Sequence, residues 1–158
     1  MTHFLLIAAS SLALAVAAMF DEHFRVPDAS MIATVSLPNG SGTTVSSGID
    51  IGATTKLAVN PGNYELVLSA PALNTTQLPD GSKITYSIVT GGNANLTVPT
   101  VIIPGVLIQT GAGGAGAAAA SVTVRPPPEQ LQQYIGMEAT NSGSGNASAA
   151  TATMGANF

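Results

Sequence analysis

His3 and His23 are the only imidazoles in this 158-residue chain, and there is no cysteine. Acyl transfer needs a nucleophile, a neighbouring base and a group that orients the base. Both histidines precede residue 25, outside the segment that carries strand patterns, and no Gly-x-Ser-x-Gly elbow occurs. The body carboxylates are Asp50, Glu65, Asp80, Glu129 and Glu138. Two carboxylates across a bond can hydrolyse a glycoside, but sugar chemistry also calls for aromatic platforms and polar clefts. The chain has no tryptophan and three tyrosines. Asp80 stands in Pro79-Asp80-Gly81, where turn geometry alone favours Asp. The expectation is a protein that is not an enzyme and has no small-molecule substrate and no cofactor.

Metal and anion sites are equally thin. Asp21-Glu22-His23 invites a metal, but consecutive residues on a regular element cannot all face one ion; the plain reading of Asp21–Arg25 is a solvated hinge. Asn74, Gln77 and Asp80 share a loop without the second carboxylate that calcium needs. The run Gly111 to Ala120 is rich in Gly and Ala, yet lacks the Gly-Lys-Ser/Thr ending of a phosphate loop. It reads as a flexible hairpin loop, with small residues that also let a neighbouring backbone come close. Arg25, Lys56, Lys83 and Arg125 are the only permanent cations, and the net charge is −4. Nucleic-acid binding needs clustered cations that displace counterions, so it is excluded. Sequons at Asn39, Asn74, Asn95 and Asn146 arise easily in a chain this rich in Ser, Thr and Asn.

The elements that would position any site come in two parts: an N-terminal arm and hinge over 1–30, and a β-sandwich domain over 31–158. From Phe4 to Phe20 the chain is apolar apart from Ser10 and Ser11. Its general form is that of a secretory signal peptide, with Ala15-Val16-Ala17 as a small-x-small cleavage site, but Met1-Thr2-His3 has no basic residue. As a membrane anchor it stands at the short limit and lacks a basic flank, so membrane association is not expected. The third reading is an apolar helical arm that docks on another subunit. The chain carries the run from Met1 onward, which favours the arm. Its interface residues would be Phe4, Leu5, Leu6, Leu12, Val16, Met19 and Phe20.

Beyond Met31 the punctuation is that of an all-β protein. Ile32 to Leu37, Val45 to Ile51 and Lys56 to Val59 are strand candidates, separated by Pro38-Asn39-Gly40-Ser41-Gly42 and by turns. Tyr64, Leu66 and Leu68 alternate with Glu65 and Val67; Ile84, Tyr86 and Ile88 alternate with Thr85 and Ser87. Such runs have one buried and one hydroxylated face. Val98 to Ile108 is apolar but broken by Pro99 and Pro104, which demotes it to edge strands or bends. Ser121 to Arg125, Tyr134 to Thr140 and Ala147 to Met154 complete the pattern, with a helical turn over Glu129 to Gln133 behind three prolines. Eight or nine short strands predict an antiparallel β-sandwich or jelly roll.

Only 8% of residues are charged, against roughly 25% in an ordinary soluble domain. A surface made of Ser, Thr, Asn and Gly has little electrostatic protection against association. It suits a protein packed in an assembly or working outside a cell.

Several segments in order carry a resemblance: Ser36-Leu37-Pro38-Asn39-Gly40, Leu66 to Leu73, Gln77 to Gly81 with Ile84 to Ile88, Gln109 to Gly116, and Ala139 to Gly143. Together they resemble small phage and prophage proteins, the capsid decoration or auxiliary head proteins of tailed bacteriophages. The resemblance covers about three-quarters of the chain and rests on turns and strands. It implies a non-enzymatic cement protein, a β-sandwich displayed on the capsid surface of the virion, often as an oligomer. The implied partners are a major capsid protein and copies of itself. The Phe4–Phe20 run departs from that pattern. Two alternatives stand beside it: a secreted or cell-surface adhesion module with a cleaved signal peptide, and a self-assembling shell or fibre subunit.

Overall fold

Alternation of small or branched apolar residues with hydroxylated ones builds most of the strands. The computed structural model describes residues 31–52 and 65–157, and within them nine strands form two antiparallel sheets. In β1 (Ile32–Ser36) Ala33 and Val35 point inward, and Ile32, Thr34 and Ser36 point out. β4 (Glu65–Ala70) buries Leu66, Leu68 and Ala70; β9 (Thr151–Asn157) buries Ala152, Met154 and Ala156. β8 (Tyr134–Asn141) brings in Ile135, Met137 and Ala139, and β5 (Lys83–Gly91) brings in Ile84, Tyr86 and Ile88. Large and small side chains therefore interdigitate between the sheets, as close packing requires.

The first sheet has the order β1-β9-β4-β7, with β7 at Ala120–Val124. The second has the order β2-β8-β5-β6, with β2 at Gly42–Val45 and β6 at Thr100–Thr110. β3 (Ile49–Asp50) also pairs with β8, further along the same strand as β2. Every connection crosses between the sheets except the β2–β3 step and the β5–β6 hairpin. Four strands facing four in this winding order make a jelly roll, which resolves the sandwich-or-jelly-roll expectation.

Three sequence expectations are corrected in detail. Val45 to Ile51 is not one strand: β2 ends at Val45 and β3 begins at Ile49. Ser46 bridges the break, since its N–H donates to Met137 O and its Oγ accepts the Met137 N–H, each at 3.0 Å. The helical turn is a 3-10 turn at Pro128–Gln130, one residue earlier than the Glu129 start. The last strand starts at Thr151 rather than Ala147, because Ala147 to Ala150 form a turn closed by Ala150 N to Ala147 O at 2.8 Å. The Lys56–Val59 strand lies outside the described residues.

Gly111 to Ala120 departs furthest from the flexible hairpin loop that its composition predicts. It is neither a hairpin nor loose: it carries the chain from β6 in one sheet to β7 in the other. Leu73 and Ala117 exchange two backbone hydrogen bonds of 2.8 Å, and Gly81 N donates to Gly111 O at 2.9 Å. A Cβ on Gly111 would overlap the carbonyls of Leu78 and Pro79, and one on Gly116 the carbonyl of Leu73. Gly145 meets the carbonyl of Gln77 in the same way, and Gly143 meets the Ser82 side chain. This end of the sandwich, where the β1–β2, β4–β5, β6–β7 and β8–β9 connections meet, is backbone packed on backbone. Small residues do let a neighbouring backbone approach closely there.

Candidate interaction surface

Among the described residues the charged and polar side chains are engaged with backbone groups and with one another. Asp80 accepts the Gly114 N–H through both carboxylate oxygens, at 3.0 and 3.1 Å. Glu65 pairs with Arg125 at 2.6 Å across β4 and β7. Asp50 Oδ1 accepts the Gly52 N–H. Asn74 Oδ1 accepts the N–H groups of Thr76 and Gln77, while Gln77 Oε1 accepts that of Asn74. The Asn74–Gln77–Asp80 loop thus spends its oxygens on its own and neighbouring backbone, the usual use of Asx residues in turns. Among the described residues no three His, Cys, Asp or Glu side chains gather as a metal site would need. His3, His23, Asp21 and Glu22 lie outside the described residues.

One buried polar network ties the sheets to the crowded end. Tyr86 Oη donates to Gln109 Oε1 at 2.7 Å, and Gln109 Nε2 donates to Pro71 O and Ala118 O, both at 2.8 Å. Burial raises the Tyr86 hydroxyl well above its ordinary pKa, because the phenolate would lose its hydration. The network joins β5, β6 and two connections, so its role is architectural.

The sandwich is unevenly covered. β1 and β2 pack at one side and β6 and β7 at the other, as the outer strands of the two sheets. On the β6 side, Ile103, Val106, Leu107, Val122 and Val124 touch the core yet remain only partly buried. Val98, Val101 and Ile108 are exposed at 84%, 45% and 53%. From Val98 to Thr110 there is no charged residue. β6 pairs with β5 along one side and with no other strand among the described residues. Pro104 has no N–H to offer, Gly105 takes φ +61°, and the β5–β6 register shifts between Tyr86 and Ile88. Ser87 Oγ accepts the Gly105 N–H at 3.2 Å. The prolines thus produce the expected edge, but Pro104 makes a bulge within one 11-residue strand rather than ending it.

A second feature, unseen in the sequence, fixes how β6 begins. Leu96 in the β5–β6 connection has φ +46° and is 2% exposed, yet it lies outside the main core. It packs on the outer face of the second sheet, over the hole left by Gly48, Gly91 and Gly136. Val89, opposite Gly136 in the ladder, is also buried. Gly48 N to Ala94 O at 2.7 Å and Thr97 N to Asn93 Oδ1 at 3.3 Å hold the loop in place.

The predicted interface residues Phe4, Leu5, Leu6, Leu12, Val16, Met19 and Phe20 lie outside the described residues. The sequence reading named only the arm and passed over the exposed apolar side of the body along β6. Its signal was present in the uncharged Val98–Thr110 run, read only for its prolines. No helix among the described residues is long and apolar enough to cross a membrane.

No family model and no curated protein matches the chain. Among solved structures it is similar to a chain of the naturally occurring empty particles of cowpea mosaic virus, with 9% identity and a TM-score of 0.41, over 87% of this chain and 84% of that one. It is also similar to the VP2 subviral particle of infectious bursal disease virus, with 13% identity and a TM-score of 0.38, over 85% of this chain and 32% of that longer one. A CBM4 structure aligns with 14% identity and a TM-score of 0.31, over 81% of this chain and 91% of that one. The jelly-roll assignment rests on the strand order of this chain and not on those likenesses.

Proposed function

We propose that this chain is a non-enzymatic structural subunit of a virion, acting by assembly with copies of itself and with other shell proteins. The observation that carries the reading is the jelly roll with an uncharged apolar edge. Jelly rolls serve viral capsids, lectins and cupins, and fold alone does not choose among them. A cupin site is built on histidines, and the body from Met31 onward has none. A lectin stacks sugars on exposed aromatic rings. Among the described residues the aromatics are Tyr86, buried against Gln109, and Tyr134, half-buried. A shell subunit needs complementary area rather than chemistry, and an uncovered edge provides it.

The finer role has two forms. The resemblance of Ser36–Gly40, Leu66–Leu73 and Gln109–Gly116 to tailed-phage head proteins favours a decoration protein seated on a capsid surface. The jelly-roll order favours a subunit of the shell itself. Quantitative mass spectrometry of sedimented particles separates them: copy number below that of a second, larger capsid protein supports decoration, and this chain as the most abundant species supports the shell. A chain that sediments alone and begins near Ala18 overturns both and leaves a secreted module.

A further inference from the structure

We propose that the apolar segment 4–20 of one copy lies along the β6 edge of a neighbouring copy. Soluble proteins guard long sheet edges with Lys, short strands or covering loops. β6 is 11 residues long and the run from Val98 to Thr110 carries no charge; among the described residues only the Pro104–Gly105 bulge guards its free edge. Beside it Ile103, Leu107, Val122 and Val124 leave the core partly open, and Val101 and Ile108 face outward. A strand laid on such an edge gains main-chain hydrogen bonds and pockets for alternate side chains.

The occupant follows from length and charge. Thirty residues precede Met31, and the run Phe4–Phe20 is seventeen residues without a charge. Extended at ~3.3 Å per residue it reaches ~55 Å, enough for the ~36 Å of β6. Residues 21–30 carry Asp21, Glu22, Arg25 and Asp28, the composition of a solvated connector.

The neighbour, rather than the same copy, follows from topology. Met31 leads into β1, at the side of the sandwich opposite β6. In the same copy the connector would have to traverse a sheet face, and the first sheet's outer face carries the hydroxyl rung Thr34–Thr153–Ser69–Ser121. A neighbour whose β6 side abuts the β1 side receives the arm directly. Such a head-to-tail contact uses two different surfaces and can close into a ring. The inference goes beyond the virion reading and does not depend on it.

The chain has no native thiol, so Ile108→Cys in the full-length protein can carry a single benzophenone maleimide. Illumination, followed by intact mass and peptide mapping, reads where β6 is covered. The expected result is a product at twice the chain mass, joined to a peptide within residues 4–20, and absent for the same label at Ser144→Cys, exposed on the β8–β9 connection away from both outer strands. A cross-link at single-chain mass, a cross-link to β6 of a second copy, equal labelling from Ser144→Cys, or a protein that stays monomeric and uncross-linked overturns it. The measurement uses purified chain without particles, so loss of particle association leaves it standing.

Discussion

Removing the Leu96 side chain tests whether the β5–β6 connection is pinned from outside the core. Leu96 fills the hole over Gly48, Gly91 and Gly136 and is 2% exposed. Truncating a buried leucine costs 2–5 kcal/mol where the site cannot collapse. This site is walled by backbone, so Leu96→Ala should cost about 3 kcal/mol, lowering Tm by roughly 10 °C at about 3 °C per kcal/mol. Leu96 also has φ +46°, a conformation that costs any residue with a Cβ. Leu96→Gly should therefore be about 1 kcal/mol more stable than Leu96→Ala, the reverse of the order at a site with negative φ. From the other side of the contact, a Cβ on Gly136 would overlap Leu96 Cδ1 and come within 2.7 Å of Ser46 Oγ. Gly136→Ala alone should cost about 1–3 kcal/mol. In the Leu96→Ala background the new methyl occupies emptied space, so the double variant should cost less than the sum by on the order of 1 kcal/mol. Urea unfolding of the four proteins gives the cycle, and hydrogen exchange over 92–99 locates the loosening. Leu96→Ala within 0.5 kcal/mol of the parent, as is usual for surface changes, or a strictly additive pair, would refute the outer-face anchor.

Three further outcomes follow from the buried network and the crowded end. Gln109→Ala strands the Tyr86 hydroxyl and the carbonyls of Pro71 and Ala118, and should cost about 2–4 kcal/mol against about 1 for Tyr86→Phe by chemical denaturation. The Tyr86 pKa is raised above its ordinary 10.0 in the folded state, so the unfolded chain loses that proton first. The hydroxyl's contribution is complete below pH 10 and fades as pH rises above it; Tyr86→Phe should flatten this alkaline decline in stability, and an unchanged slope would count against burial as its cause. Gly116→Ala places a methyl against the Leu73 carbonyl at φ +75° and should cost more than about 3 kcal/mol or prevent folding, whereas Gly113→Ala, with open space around it, should cost only the ~1 kcal/mol of its positive φ; soluble yield and Tm compare the two.

The strands were legible wherever one face met the core and the other met water. Ile84-Tyr86-Ile88 and Leu66-Leu68 show that alternation, and the structure buries those positions. Where both faces are covered the pattern fades. Val89, Thr90 and Gly91 are all buried, because Leu96 returns over the outer face, a contact set by a left-handed loop residue and not by periodicity. Gly136 reads as an ordinary outward position of β8 and is a socket instead. The Gly111–Ala120 run misled for a different reason: its composition is that of a linker, while its rigidity comes from carbonyls brought in by Leu73, Leu78 and Pro79, remote in sequence. The β6 surface was half legible, since prolines mark an edge but do not say what the edge leaves uncovered.

Met31 and Asn157 finish side by side, because β1 and β9 are antiparallel with Ile32 opposite Gly155. A pull applied between those two points acts across the ladder, not along it. The rungs from Ile32–Gly155 to Ser36–Thr151 then open one after another, like a zipper, whereas a pull along the strands would load all five at once. Forced opening is governed by the rate of the first step, so a body tensioned between these points yields at low force, beginning with the outermost strand of its own sheet.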